Sequence, residues 1–154
     1  MTELILMRHA AAVQAAIGGG DYERELSAPG RVEAVQAARE LARAAPPIER
    51  ILYSPAQRTS ATARIVAAEQ SLGPQAIVAV PSLYTATPAA ISAAIAREHG
   101  GASVLLVVGH NPGVSDFGGE LSRQRGHLPT AGYWRVRLDY EEWHALLRAG
   151  GAKG

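Results

Sequence analysis

Apolar residues in this chain fall into short unbroken runs, separated by longer stretches in which they recur every three or four positions. Glu3–Met7, Arg50–Tyr53, Ala76–Val80 and Ser103–Val108 are the runs, and SVLLVV at 103–108 is the clearest. Such runs are too short for helices, and apolar residues at every position suit strands covered on both faces. Tyr133–Leu138 instead alternates polar with apolar, which predicts an edge strand. Between the runs, Val32, Val35 and Leu41 give helical spacing from about Ser27 to Ala45, where Pro46-Pro47 stops it. Ala61, Ile65, Val66 and Ala68 predict a second helix from Gln57 to Ser71, ended by Gly73-Pro74. A third starts at Pro88 and runs to Gly100-Gly101, and a fourth follows Gly109–Gly113 through Leu121. Gly18-Gly19-Gly20 breaks regular structure and predicts a loop, and no element is predicted after Leu138.

Strands alternating with helices imply βαβ units, hence an α/β/α sandwich of three layers around a mostly parallel sheet. The chain of 154 residues reads as one domain over 1–154, with no linker or repeat. In such folds ligands bind beyond the carboxyl ends of the strands.

Composition narrows the function classes. The formal net charge is +1, so no strong field draws the protein to nucleic acid or an anionic membrane. No apolar segment is long enough to span a bilayer, and Met1-Thr2-Glu3-Leu4 lacks the start of a signal peptide, so a cytoplasmic address is expected. The absence of cysteine removes disulfides, thiolate metal sites and cysteine nucleophiles. Oligomeric state is not encoded in any recognisable way.

Three strand ends carry the candidate chemistry. Arg8-His9 follows the first run, His110 follows SVLLVV, and Ser54-Pro55 after Tyr53 leads to Arg58 at a helix start. Neighbouring parallel strands would gather two arginines and two histidines, with no carboxylate in those segments. Paired guanidiniums suit a tetrahedral phosphate, and an imidazole among them can attack phosphorus. Each feature alone has a bland reading: a chance Arg-His pair, a Ser-Pro helix cap, a polar turn histidine. Their order along the chain, each at a strand end, carries the functional one.

These residues resemble the signatures of the histidine phosphatase superfamily, which includes the phosphoglycerate mutases. Arg8-His9-Ala10 resembles its R-H-G/A signature; Ser54-Pro55-Ala56-Gln57-Arg58 with Thr62 resembles S-P-x-x-R-x-x-x-T; Gly109-His110-Asn111-Pro112 resembles its G-H-N-P turn. Asp21-x-x-Arg24-x-Leu26-Ser27-x-x-Gly30 and Leu128-Pro129-Thr130-Ala131 are similar to motifs of the short SixA-type phosphohistidine phosphatases, with Glu25 where proline is usual. The resemblance spans about residues 3–143 and implies a phosphoglycerate mutase-like fold. It further implies a phosphoenzyme on His9, with Arg8, Arg58 and His110 binding the phosphoryl oxygens and Arg24, Asp21 and Asn111 on the substrate side. Metal and cofactor are not expected, since the arginines supply the positive charge. The implied partner is a phosphorylated protein or a small phosphorylated molecule.

One departure bears on substrate. The mutase relatives carry a glutamate after the third strand that protonates a leaving alkoxide, whereas no Asp or Glu occurs here from Gln70 to Arg97. A general acid is worth about 10²–10⁴-fold, so its loss favours a labile phosphoramidate such as phosphohistidine. Asp21 or Glu23 is the candidate replacement donor, and Arg24 is expected to orient that loop or touch substrate. His99, His127, His144 and the arginines at 123, 125, 135 and 137 read as solvated, and Trp134 and Trp143 as packing residues.

Overall fold

The computed structural model describes residues 1–153. Five strands, β1 (Thr2–Arg8), β2 (Arg50–Tyr53), β3 (Ile77–Ala79), β4 (Val104–Gly109) and β5 (Tyr133–Leu138), form one sheet in the order β3-β2-β4-β1-β5. All neighbours run parallel except β5, which pairs antiparallel with β1. Five helices complete the layers: α1 (Ala28–Ala44), α2 (Gln57–Gln70), α3 (Pro88–Glu98), α4 (Gly113–Ser122) and α5 (Tyr140–Lys153). This is the expected three-layer α/β/α sandwich with a phosphoglycerate mutase-like architecture.

Side chains alternate across the pleat, so each apolar run feeds two cores. Leu4, Leu6, Leu52, Leu105 and Val107 face α3, α4 and α5 through Ile91, Ile95, Phe117 and Trp143. Ile5, Met7, Ile51, Leu106 and Val108 face α1 and α2. On that second side the helices present mainly alanine, with Ala34, Ala38 and Ala63 fully buried, which lets them lie close to the sheet. The exposed-edge reading of Tyr133–Leu138 holds, because only Val136 and Leu138 are buried.

Two differences from the sequence expectation have physical causes. The third strand is shorter than 76–80, since Pro74–Ala76 forms a 3-10 turn before it. Helix α5 was not expected. Its start is a reciprocal cap, in which Asp139 N–H donates to Glu142 and Glu142 N–H donates to Asp139. Trp143 and Leu146 then bury one helix face.

The segment after β1 is fastened to the start of α1. The Ser27 side chain accepts from Gly30 N–H as the helix cap. Ser27 N–H and Oγ–H both donate to the Ala11 carbonyl, and the Glu33 carboxylate accepts from Ala11 N–H. A Cβ on Gly30 would lie 1.9 Å from the Ala11 oxygen, so only glycine lets the helix approach this closely. The same distance separates a Cβ on Gly113 from the Ala86 oxygen, where α4 begins. Both glycines hold chain segments that leave the strand ends.

Candidate active site

β4 lies between β1 and β2, so the carboxyl ends of these strands are adjacent and set His9, His110 and Ser54 side by side. Arg58 enters from the first turn of α2, which follows β2. The rings of His9 and His110 meet edge to face at 5.5 Å. His9 and His110 are buried, as is Arg58, and Arg8 is half-buried beside them.

The hydrogen bonds define which nitrogens carry protons. His9 Nδ1 lies 2.7 Å from the Ala10 carbonyl, which can only accept, so Nδ1 bears the hydrogen. His9 Nε2 is therefore the lone-pair nitrogen, and it accepts from Arg58 Nε at 3.3 Å. Arg58 Nη2 donates to His110 Nδ1 at 3.3 Å, so the His110 proton resides on Nε2, 2.8 Å from Ser54 Oγ. Two neutral rings with opposite tautomers thus flank one guanidinium.

Their environment keeps them neutral. Burial pushes His9 down to about 4; the Ala10 carbonyl opposes this, while the charges of Arg58 and Arg8 reinforce it. Burial and then the Arg58 charge push His110 down to about 3. NMR titration of the ring protons is expected to place both midpoints well below the usual 6.5, near 4 and 3. Unfolded histidines titrate near 6.5, so between about 6.5 and 4 the unfolded chain binds protons that the native rings refuse. Native stability should fall as pH drops through that window, and a ring titrating near 6.5 in the folded protein would contradict the buried geometry.

The supporting residues explain the motif spacings. Thr62, one turn along α2, accepts from Ala10 N–H at 3.1 Å and donates to the Arg58 carbonyl at 2.8 Å. It thereby ties the loop after β1 to the helix that carries Arg58. Ser54 is not the helix cap that its place before proline suggested. The cap position is Ala56, whose methyl group cannot accept a hydrogen bond, and the buried Ser54 hydroxyl holds His110. The Leu128 carbonyl accepts from Arg8 Nη1 at 3.3 Å and from Asn111 Nδ2 at 2.9 Å. Arg8 Nε is buried without a partner, a costly state for a charged donor that the fold itself does not use.

The residues expected on the substrate side differ from expectation. Asn111 spends its amide on Leu128 and on Ser115 Oγ, so it braces the turn rather than facing the histidines. Arg24 holds the 16–26 loop through Nε to the Val13 carbonyl and Nη1 to Asp21 Oδ1. Asp21 does reach the site, but on Arg58: Nη2 donates to Oδ2 at 2.8 Å and Nη1 to the Asp21 carbonyl at 2.7 Å. Hydrogen bonds from Tyr84, Arg24 and Arg58 hold its carboxyl well below the usual carboxylate range. A carboxyl this acidic carries no proton to donate at neutral pH, so Asp21 does not fit as the replacement acid. Glu23 turns away to accept from Gly20 N–H. Elsewhere, Arg135 is not simply solvated; it pairs at 2.7 Å with Glu3, which is buried at the sheet edge.

The family model of the histidine phosphatase superfamily (branch 1) matches residues 4–83, which include Arg8, His9, Ser54 and Arg58. The chain belongs to the histidine phosphatase superfamily. Solved structures of this superfamily match over most of the chain. A provisionally assigned phosphohistidine phosphatase SixA from Nakamurella multipartitia is 33% identical over 79% of this chain and 66% of its own, with a TM-score of 0.68. A similarly assigned SixA from Agrobacterium tumefaciens is 27% identical over 90% and 92%, with a TM-score of 0.77. The protein histidine phosphatase SixA complexed with tungstate is 27% identical over 92% and 91%, with a TM-score of 0.79. No curated protein sequence gives a match. Like the family it belongs to, this histidine phosphatase is an enzyme of phosphoryl hydrolysis. Among its described residues no helix is long and apolar enough to cross a membrane.

Sequence reasoning missed two side chains of this phosphatase site. Ser54 stood inside a recognised motif, but no role at the site was assigned to it. Tyr84 had no signal at all; its hydroxyl donates to Asp21 Oδ2 at 2.6 Å, and its ring meets His110 at 5.3 Å.

Proposed function

We propose that this histidine phosphatase removes the phosphoryl group from phosphohistidine on a protein, through a phosphoenzyme on His9 and without a metal ion. The observation that carries the reading is the His9 ring itself. Its Nδ1–H is anchored on the Ala10 carbonyl, which leaves the Nε2 lone pair directed at Arg58, beside Arg8 and His110. In the first step Nε2 bonds to phosphorus while the substrate's P–N bond breaks, and its electron pair leaves with the substrate imidazole. That imidazole departs neutral when its other ring nitrogen already bears a proton, so no enzyme acid is required. In the second step water attacks phosphorus, the Nε2–P bond breaks, and both water protons finish on the phosphate product. Arg58, Arg8 and the His110 edge stabilise the equatorial oxygens in both steps.

The position of Asp21 supports the phosphoramidate over an alkyl phosphate. In the resting site the one carboxylate is ion-paired and deprotonated, so no protonated carboxyl stands ready for a leaving alkoxide. Similarity to the SixA structures supports the same substrate class. For metal independence, the guanidiniums of Arg8 and Arg58 supply the positive charge that the phosphoryl oxygens need. The test is hydrolysis of a phosphohistidine protein, an aryl phosphate and a sugar phosphate in the presence of EDTA. The expected order of kcat/KM is phosphohistidine, then aryl, then sugar phosphate, with no effect of chelator. Preference for the sugar phosphate, or loss of activity in EDTA, would overturn the reading.

A further inference from the structure

All three guanidinium nitrogens of Arg58 are engaged before any substrate arrives. Its Nε donates to His9, its Nη2 to His110 and to the Asp21 carboxylate, and its Nη1 to the Asp21 carbonyl. A buried guanidinium needs an anion, and in this state Asp21 supplies it. The arrangement is held from three sides: Arg58 and the Tyr84 hydroxyl on Oδ2, and Arg24 on Oδ1. Tyr84 is itself anchored, because it follows a 3-10 turn, Pro81–Leu83, whose Leu83 is buried in the core. Yet the Asp21 side chain is 46% exposed, whereas that of Arg58 is 5% exposed. Water can therefore replace part of what Asp21 gives up on moving out, and Arg58 cannot follow it. The loop bearing Asp21 begins at Gly18-Gly19-Gly20, with Gly18 at a φ of 79°, and so offers a backbone able to yield.

We propose that Asp21, clamped by Tyr84 and Arg24, is a specificity-determining residue: its carboxylate occupies Arg58 in the resting enzyme, and the substrate's phosphoryl group must displace it. This rests on the reading of Arg58 as the phosphoryl-binding arginine. The exchange selects by charge. A singly charged ligand, such as a phosphodiester or a carboxylate, gains nothing at Arg58 that Asp21 did not already provide. A terminal phosphoryl group brings two charges and three oxygens, enough to engage Arg58, Arg8 and the ring edges together, and it wins the site. Tyr84 is a positioning residue in this scheme, acting only through Asp21.

The sign of one measurement separates this role from a structural one. Inorganic phosphate is titrated calorimetrically into the parent enzyme and into D21N, Y84F and R58A. Asparagine keeps an acceptor for Arg58 and removes the competing charge. D21N is expected to bind phosphate about threefold to fivefold tighter, the size of a partly exposed ion pair, and Y84F to shift the same way by less. Dimethyl phosphate, a single-charged probe, should compete with phosphate in D21N and not in the parent. KM for the phosphorylated substrate should fall in D21N by the same factor as the phosphate Kd. If Asp21 merely held Arg58 in place, both variants would bind phosphate more weakly, and either unchanged or weaker binding overturns the proposal. Should R58A bind phosphate as the parent does, the assignment of the site fails first. Should R58A lose binding while D21N and Y84F gain none, only the competition fails.

Discussion

Replacing His9 with alanine should lower kcat/KM by at least about 10³-fold, equivalent to about 4 kcal/mol of transition-state stabilisation, while phosphate binding survives. Nothing else at the site can take over the attack. His110 is the other imidazole, but its lone pair is on Nδ1, the ring nitrogen beside its own Cβ and so more hindered than Nε2 of His9, and its N–H is committed to Ser54. Binding should persist because Arg58, Arg8 and His110 keep their own supports on α2, Leu128 and Ser54. The variant should also fold, since His9 gives up only its two ring hydrogen bonds, to Ala10 and from Arg58, and no core contact of the sheet. Single-turnover assays with a phosphorylated protein, together with acid-quench trapping, provide the check. The parent should accumulate an acid-labile, base-stable phosphoryl adduct that H9A lacks. An H9A enzyme retaining more than about a tenth of parental activity would show that another residue carries the phosphoryl group.

Arg58→Ala should be comparably severe but different in kind. Removing one preorganised donor from a developing oxyanion typically costs 10²–10³-fold, and an arginine on a transferring phosphoryl group about 10³–10⁵-fold. Arg58 also orients both rings, so its loss releases His9 Nε2 and His110 Nδ1 from a shared partner. A fall of at least about 10³-fold in kcat/KM is expected, now with phosphate binding lost as well. Lysine should not rescue it. The ammonium is a point charge with three donors, and it cannot reproduce the fork that reaches His9, His110 and Asp21 in three directions. The fold should remain, because the Thr62 bridge runs to the Arg58 backbone, not to its side chain. Phosphate affinity separates the two variants, and an R58A enzyme that binds phosphate normally would remove Arg58 from the site.

Much of this architecture was legible along the chain because it is written in local pattern. Leu4–Met7 and Val104–Val108 are apolar at every position only because the sheet is covered on both faces, so they read as central strands and are central strands. The residues at their ends were legible for the same reason, since a parallel sheet gathers its carboxyl ends. Helix α5 carries a weaker signal: Asp139-x-x-Glu142 ahead of Trp143 and Leu146 is a capping pattern, diluted by Gly150-Gly151 and their poor helix propensity.

By itself, then, the order of residues determined the layers, the strands at the site, and the presence of Arg8, His9 and His110 at strand ends and of Arg58 at a helix start. Only the tertiary structure decided what each side chain does there. Asp21 and Tyr84 are 63 positions apart, and Ser54 and His110 are 56. No local pattern encodes such pairings, because each depends on which strands become neighbours and how far the loops beyond them fold back. The His9 tautomer, the partner of Ser54 and the carboxylate resting on Arg58 all follow from hydrogen-bond geometry between distant segments, which exists only once the sheet has closed around them.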